Sequence, residues 1–370
     1  MTAVAGRIAL VGSETADLRG LREAGWDARL LDPDSCRRHA ARLRTGLALA
    51  RAATVSPRAA RRALRVPREV PRVWCRRQVA TRLVAARPQV VHFDSARSAA
   101  AWLPVLDALD GAVVVGLTAE DLYGSGSAPF PGCEAVWARA AAVHVPDRAL
   151  ERRALQRGLP PDLPRAVVVP AVEATFFATA EAEPAERRSG ALRIVSADSL
   201  DWMQGFEHAI HAVRLLRDAG VEVEYTIVGD GDYLPALTFA RHQLDVADEV
   251  RFSGALAPDE LRDRLRSADV FLGASVVDGL PRGALRALAC GTPAVLSDPG
   301  PLGEPGLDGA ALIAPRRKPE ALAEKLAALA ADEELRRGMG RAARAWALEH
   351  ASATDRRDRL ERLLRQALAQ

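Results

Sequence analysis

Short apolar runs ending in Gly, Asp or Ser alternate along the chain with longer stretches whose apolar residues recur at helical spacing. The runs predict strands at Arg7 to Val11, Asp27 to Leu31, Gln89 to Phe93, Ala112 to Leu117, Ala141 to Val145 and Ala166 to Pro170. A second series follows at Leu192 to Ala197, Glu222 to Val228, Val250 to Ser253, Val270 to Leu272, Pro293 to Ser297 and Ala311 to Ile313. Strands that alternate with helices build parallel sheets covered on both faces, so two groups of six imply two doubly wound, Rossmann-like α/β domains. The break falls at 171–190, where AVEATFFATAEAEPAERRSG keeps no steady period and carries Pro184 and Gly190. The expected organisation is an N-terminal domain at 1–170, a linker at 171–190, a second domain at 191–345 and a C-terminal helix at 346–370. Two such domains facing each other would present strand carboxyl ends across a cleft, where open parallel sheets bind ligands.

Composition narrows the classes. With 49% hydrophobic and 27% charged residues in 370, the chain is too apolar for disorder and long enough for about two cores. It contains no uncharged apolar run of membrane-spanning length, and the N-terminus enters a strand pattern directly, so a cytoplasmic protein is expected. Of 51 basic residues only Lys318 and Lys325 are lysine, and neither follows a glycine-rich turn, which excludes Schiff-base chemistry and a P-loop. Cys36, Cys75, Cys133 and Cys290 lie too far apart in sequence to suggest a metal-ligand pair and read as isolated core residues.

Charge is uneven. Arg37 to Arg87 holds 15 arginines against Glu69 alone, a local +14 that leaves −11 elsewhere within a total of +3. Such a segment suits a phospholipid surface, a lipid phosphate or another anionic partner. The competing reading is a set of solvated helices in an arginine-rich sequence, with Leu43 and Leu47, then Val79 and Leu83, forming a core face.

Candidate chemistry gathers in the second half. In YTIVGDGD, Gly229 and Gly231 follow a strand and permit close backbone approach; the D-x-D of Asp230 and Asp232 matches a metal motif, but so short a pattern arises by chance and reads as a polar turn. From Phe271 to Ser297 a strand, a loop opened by Asp278 and Gly279, a helix entered at Pro281 and a stop at Gly291 follow in order. That helix points its free N–H groups toward the ligand side, and Arg282 and Arg286, four apart on one face, are placed to hold a diphosphate. His208 and His211 lack a third ligand and read as surface residues. In the first half, His92, Asp94, Glu120 and Asp121 stand near strand ends as acceptor-side groups or as solvated loop residues. His144 reads as a partly buried strand end.

The pieces RIVSADSLDWMQGFEHAIHAVRLLRDAG, IVGDGD, VRFSGALAPDELRDRLRSADVFLGAS and DGLPRGALRALACGTPAVLSDPG, in that order, resemble the nucleotide-sugar domain of the retaining family 4 glycosyltransferases with a GT-B fold. VVVPAVEATFF resembles that family's hinge, and in the first half only VVHFDS and the strand rhythm agree. The resemblance implies a metal-independent transfer without cofactor, from a nucleoside diphosphate sugar to an acceptor held by residues 1–170, with the C-terminal helix returning to the first domain. It places Gly279, Leu280, Gly229 and Gly231 at the donor. Where the family holds the diphosphate with an arginine and a lysine, this chain has Ser199 and Gln204. Its paired glutamates appear as Asp278, the expected catalytic contact to the sugar, and Arg286. The acceptor loop shrinks to Gly12 and Ser13, and the family's site histidine aligns with Thr118.

Three functions follow from these departures. The leading one is a retaining glycosyltransferase with an atypical donor site, acting on small-molecule donor and acceptor, cytoplasmic or peripheral at the inner face of the membrane. The alternative is a degenerate subunit that activates or scaffolds a partner glycosyltransferase. The third is a transferase whose donor is not a nucleoside diphosphate sugar. Nucleic acid is not an expected partner.

Overall fold

The computed structural model describes residues 6–11, 21–31, 82–83, 86–106, 110–124, 131–170, 172, 177, 190–300, 306–307 and 309–369. Most of the linker and most of the basic segment, including all its arginines except Arg82 and Arg87, lie outside the described residues, as do Gly12 and Ser13. The chain divides into two compact units, one of Met1–Pro146, Leu150–Val168 and Arg356–Gln370, the other of Asp147–Ala149 and Val169–Asp355.

All twelve expected strands form. The first unit holds β1 (Gly6–Val11), β2 (Trp26–Leu31), β3 (Val90–Phe93), β4 (Ala112–Gly116), β5 (Ala142–Val145) and β6 (Arg165–Val167). They make one parallel sheet in the order β2-β1-β3-β4-β5-β6. The last strand is shorter than its apolar run, because VVVP leaves the ladder after Val167. Helices α1 (Ala96–Leu106), α2 (Ala119–Tyr123), α3 (Cys133–Arg139) and α4 (Arg148–Gln156) follow the strands.

Alternation within the strands sends side chains to opposite faces. Ala9, Val11, Val91, Phe93, Val113 and Val115 pack with Trp102, Val105 and Trp137 from α1 and α3. Ile8, Leu10, Trp26, Val90 and Val114 pack instead with Leu360, Leu363, Leu364 and Ala367, from the helix nearest the chain's end. Each leucine so buried contributes about 1.5–3 kcal/mol.

The second unit holds β7 (Leu192–Ala197), β8 (Val223–Val228), β9 (Val250–Gly254), β10 (Val270–Gly273), β11 (Ala294–Ser297) and β12 (Ala311–Ala314). Its parallel sheet runs β12-β11-β10-β7-β8-β9. The helices are α5 (Phe206–Asp218), α6 (Leu234–Gln243), α7 (Pro258–Ser267), α8 (Arg282–Ala289), α9 (Pro319–Ala331), α10 (Glu333–His350) and α11 (Ala353–Leu368), whose far turns complete the first unit. Strand order advances from β7 outward to β9, then returns to the other side of β7 at β10. That reversal opens a crevice at the carboxyl ends of β7 and β10. Among the described residues no helix is long and apolar enough to cross a membrane.

Candidate functional site

The crevice of the second unit is built from loops that hydrogen-bond to one another. After β7 the chain runs through Asp198 and Ser199 into a short 3₁₀ turn, Trp202–Gln204, started by Asp201, whose Oδ1 accepts the Met203 N–H at 2.8 Å. The Val276 N–H donates to the Met203 carbonyl at 2.9 Å, and Ser275 Oγ donates to the same oxygen at 3.2 Å, fastening this turn to the loop after β10. On the other side the Leu200 N–H donates to the Asp230 carbonyl at 2.9 Å. Gly229 and Gly231 are packed against this same loop, where a side chain on either would collide with the backbone of Asp198 or Leu200. Their close approach is to the protein's own chain.

Helix α8 enters the crevice with Pro281 ahead of it. It sits so tightly on the end of β7 that a Cβ at Gly283 would overlap the Ala197 carbonyl oxygen. Arg282 is exposed at its first position, and Arg286, one turn on, lies half-buried with its guanidinium 5.9 Å from the Phe177 ring centre, within cation–π range. The apolar side of the helix, including Ala284, Leu285 and Leu288, is buried.

Two side chains that sequence reasoning did not single out dominate this site. Asp198 turns its carboxylate onto the helix N-terminus: Oδ2 accepts the Gly283 N–H at 3.4 Å, and Oδ1 accepts the Ser199 N–H at 3.0 Å. Burial pushes its pKa up, opposed by these two N–H groups, with Asp201 adding to the rise and Arg286 countering it. A protein carboxylate therefore lies where a ligand's phosphate would meet α8. The second is Arg316, beyond β12. Its Nη2 meets Asp278 Oδ1 at 2.5 Å, while its Nε donates to the Asp298 carbonyl at 2.5 Å. Asp278, the expected sugar contact, is thus half of an ion pair whose side chains are 24% and 28% exposed.

Among the other expected donor residues, Ser199 is exposed and donates from Oγ to Asp201 Oδ2 at 2.7 Å. Gln204 closes the 3₁₀ turn, Gly279 donates its N–H to the Pro299 carbonyl at 2.9 Å, and Leu280 packs on the core beneath. Asp278, Ser199, Gln204, Gly279, Leu280, Arg282 and Arg286 therefore share one end of the second sheet. His208 lies on α5, its pKa lowered by desolvation, and among the described residues no three side chains are grouped to hold a metal. Burial drives the Cys290 thiol up to about 12, the behaviour of an inert core cysteine.

The acceptor-side group belongs to the first unit, where the structure gives several members a place in the architecture. Asp121 is buried, and its carboxylate accepts the N–H groups of Ala96, Arg97 and Thr118 at 3.1, 3.0 and 2.9 Å and the Thr118 hydroxyl at 3.0 Å. It joins the starts of α1 and α2, and Thr118 caps α2 in return. Glu120 is exposed in the first turn of α2, and Asp94 is half-buried just past β3. His92 is buried rather than open, with Nε2 2.8 Å from Nε2 of His144 on β5. His144, expected to be partly buried, is buried as well, and its pKa falls well below 6.5 through desolvation, His92 and Arg356. Gly116 between them leaves the rings room to meet.

A doubly wound sheet with polar groups collected at its switch point is a ligand-binding architecture, and two in one chain make the GT-B class of fold. Residues 179–346, which span the second sheet, match the family model described as glycosyl transferases group 1. An amylovoran biosynthesis glycosyltransferase of Erwinia amylovora is 35% identical over 113 residues, 29% of this chain and 28% of that one. A GDP-mannose-dependent alpha-(1-6)-phosphatidylinositol monomannoside mannosyltransferase of Mycolicibacterium smegmatis is 33% identical over 169 residues, 44% of each. The chain spans less than half the length of these relatives. Solved structures agree over nearly its full length at low identity. Sucrose-phosphate synthase from Thermosynechococcus elongatus has a TM-score of 0.74 at 15% identity, covering 98% of this chain and 99% of that one. The HepE protein of Anabaena in complex with UDP gives 0.69 at 14%, covering 97% and 99%.

Proposed function

We propose that the protein transfers a glycosyl group, with retention and without a metal ion, from an activated donor bound at the carboxyl ends of β7 and β10 to an acceptor bound by residues 1–170. The observation that carries this reading is the convergence of Asp278, Arg316, Arg286 and the N-terminus of α8 at the switch point of a group 1 glycosyl transferases domain. The donor's phosphates would lie on the α8 N–H groups with Arg282 and Arg286 beside them, and Asp278 would contact the sugar. As the bond from anomeric carbon to phosphate oxygen breaks, α8 and the guanidinium groups stabilise the negative charge gathering on the leaving diphosphate. The acceptor oxygen bonds to the same face of that carbon, and its proton passes to the departing phosphate. Arg316 orients the Asp278 carboxylate.

Calorimetry with UDP, GDP and ADP tests the donor side. One of them should bind saturably and, at 100 times its Kd, raise stability by about 2.7 kcal/mol. Arg286→Ala should weaken it about tenfold or more. A second reading, a subunit that supports a partner transferase without turning over, is favoured by the Asp198 carboxylate on α8. Wild-type protein that binds no nucleoside diphosphate, alone or with a partner, would select it and overturn the first.

A further inference from the structure

We propose that the first unit carries a site for a phosphate-class anion, formed by Arg7, Arg22, Arg29 and Arg82, separate from the strand ends where donor and acceptor are expected. A cavity of about 250 Å³ lies beside edge strand β2, lined by these four arginines, Asp27 and the apolar Ile8, Ala9, Leu30, Ala86 and Pro88. Arg7 is the second residue of β1, Asp27 the second of β2, and Pro88 precedes β3, so the cavity lies toward the amino ends of the strands. Register explains the clustering. Arg7 pairs with Asp27 and Ala9 with Arg29, which puts Arg7, Asp27 and Arg29 on the same face.

The charges are unbalanced. Four guanidinium groups face one carboxylate, and Asp27 is engaged by Arg29 at 3.5 Å. Arg22 spends only Nε, on the Ala28 carbonyl at 3.0 Å. The side chains of Arg7 and Arg82 make no hydrogen bond or ion pair among the described residues. An anion entering here would gain forked N–H donors from several directions, and the apolar wall would strengthen each contact by excluding water. The volume falls below the ~300–1,000 Å³ typical of pockets for drug-sized ligands, which fits one phosphate group and its first substituent, not a nucleotide sugar. The phosphate could come from a soluble metabolite or from a lipid head group.

Titration calorimetry of the full chain with inorganic phosphate, and co-sedimentation with vesicles of phosphatidic acid in phosphatidylcholine, test the site and separate the sources. Wild type should bind phosphate saturably, Arg7→Gln and Arg82→Gln should each weaken binding about tenfold, and Asp27→Asn, which removes the acid without touching the core, should tighten it severalfold. Phosphate binding without vesicle binding assigns a soluble ligand; vesicle binding that phosphate competes away and Arg82→Gln abolishes assigns a head group. Phosphate affinity unchanged in Arg7→Gln, Arg82→Gln and Asp27→Asn, or no binding of either probe, would overturn the proposal. Because phosphate held at α8 would ignore these substitutions, the result does not depend on the fate of the donor site.

Discussion

Replacing Asp198 by Asn should remove the negative charge that competes with a ligand anion at the N-terminus of α8. The amide keeps the shape of the carboxylate and its contact with the Gly283 N–H while removing the charge. A ligand phosphate accepting from the same helix N-terminus would sit about 4–5 Å from that carboxylate, where two unit charges repel by about 4 kcal/mol at an effective dielectric of 20. Partial exposure and the raised pKa of the acid reduce this figure. An improvement of at least about 1.4 kcal/mol, tenfold in Kd, is the expected floor for nucleoside diphosphate binding by calorimetry. Stability supplies an independent readout. Because the folded pKa is raised above 3.8, the folded state binds the proton more tightly than the unfolded one, and wild type loses stability as pH rises through the folded pKa. Asp198→Asn should therefore melt higher than wild type at pH 7, with the gap closing as pH falls toward 3.8. No gain in nucleotide affinity together with no gain in melting temperature at pH 7 would refute the assigned role of Asp198.

Other outcomes follow from the same geometry. A double-mutant cycle on Asp278 and Arg316 should give a coupling of about 1 kcal/mol in stability, modest for a partly exposed pair, while Arg316→Ala should cut any transferase kcat at least tenfold through the misplaced carboxylate. Gly283→Ala, which drives a methyl into the Ala197 carbonyl, should cost about 3 kcal/mol in chemical denaturation. Because His144 has a folded pKa well below 6.5, the unfolded chain takes up its proton first. Stability should fall below pH 6.5 with a slope of up to about 1.4 kcal/mol per pH unit, and His144→Asn should flatten it.

The twelve strands were legible because strands covered on both faces must be apolar throughout, as in VVHF and AVVVG, and stop where Gly or a polar residue appears. The site was legible in position more than in chemistry. Asp278 and Gly283 lie within a recognisable strand–loop–helix, but Asp198 meets α8 across 85 residues of sequence, a contact created when β10 returns beside β7. An acid immediately after the first strand of a doubly wound unit was the available signal. Arg316 lies 38 residues from Asp278, one arginine among 49, and nothing local marks it. Asp121 read either as an acceptor-side acid or as a solvated loop residue, because its sequence shows the turn and hides the second helix start that it serves.

The packing of α11 on the first sheet bears on how the chain matures at the ribosome. Ile8, Leu10 and Trp26 are covered by Leu360, Leu363 and Leu364, so the sheet made first waits for residues made more than 300 positions later. At about 5–20 residues per second, the interval from the last strand of that unit to α11 is on the order of ten to forty seconds. During it the second unit can fold while one apolar face of the first stays open to chaperones or to other nascent chains. A stop codon just before Leu360 would accordingly harm the N-terminal half of the molecule, and its signature would be aggregation of a protein whose second sheet is intact.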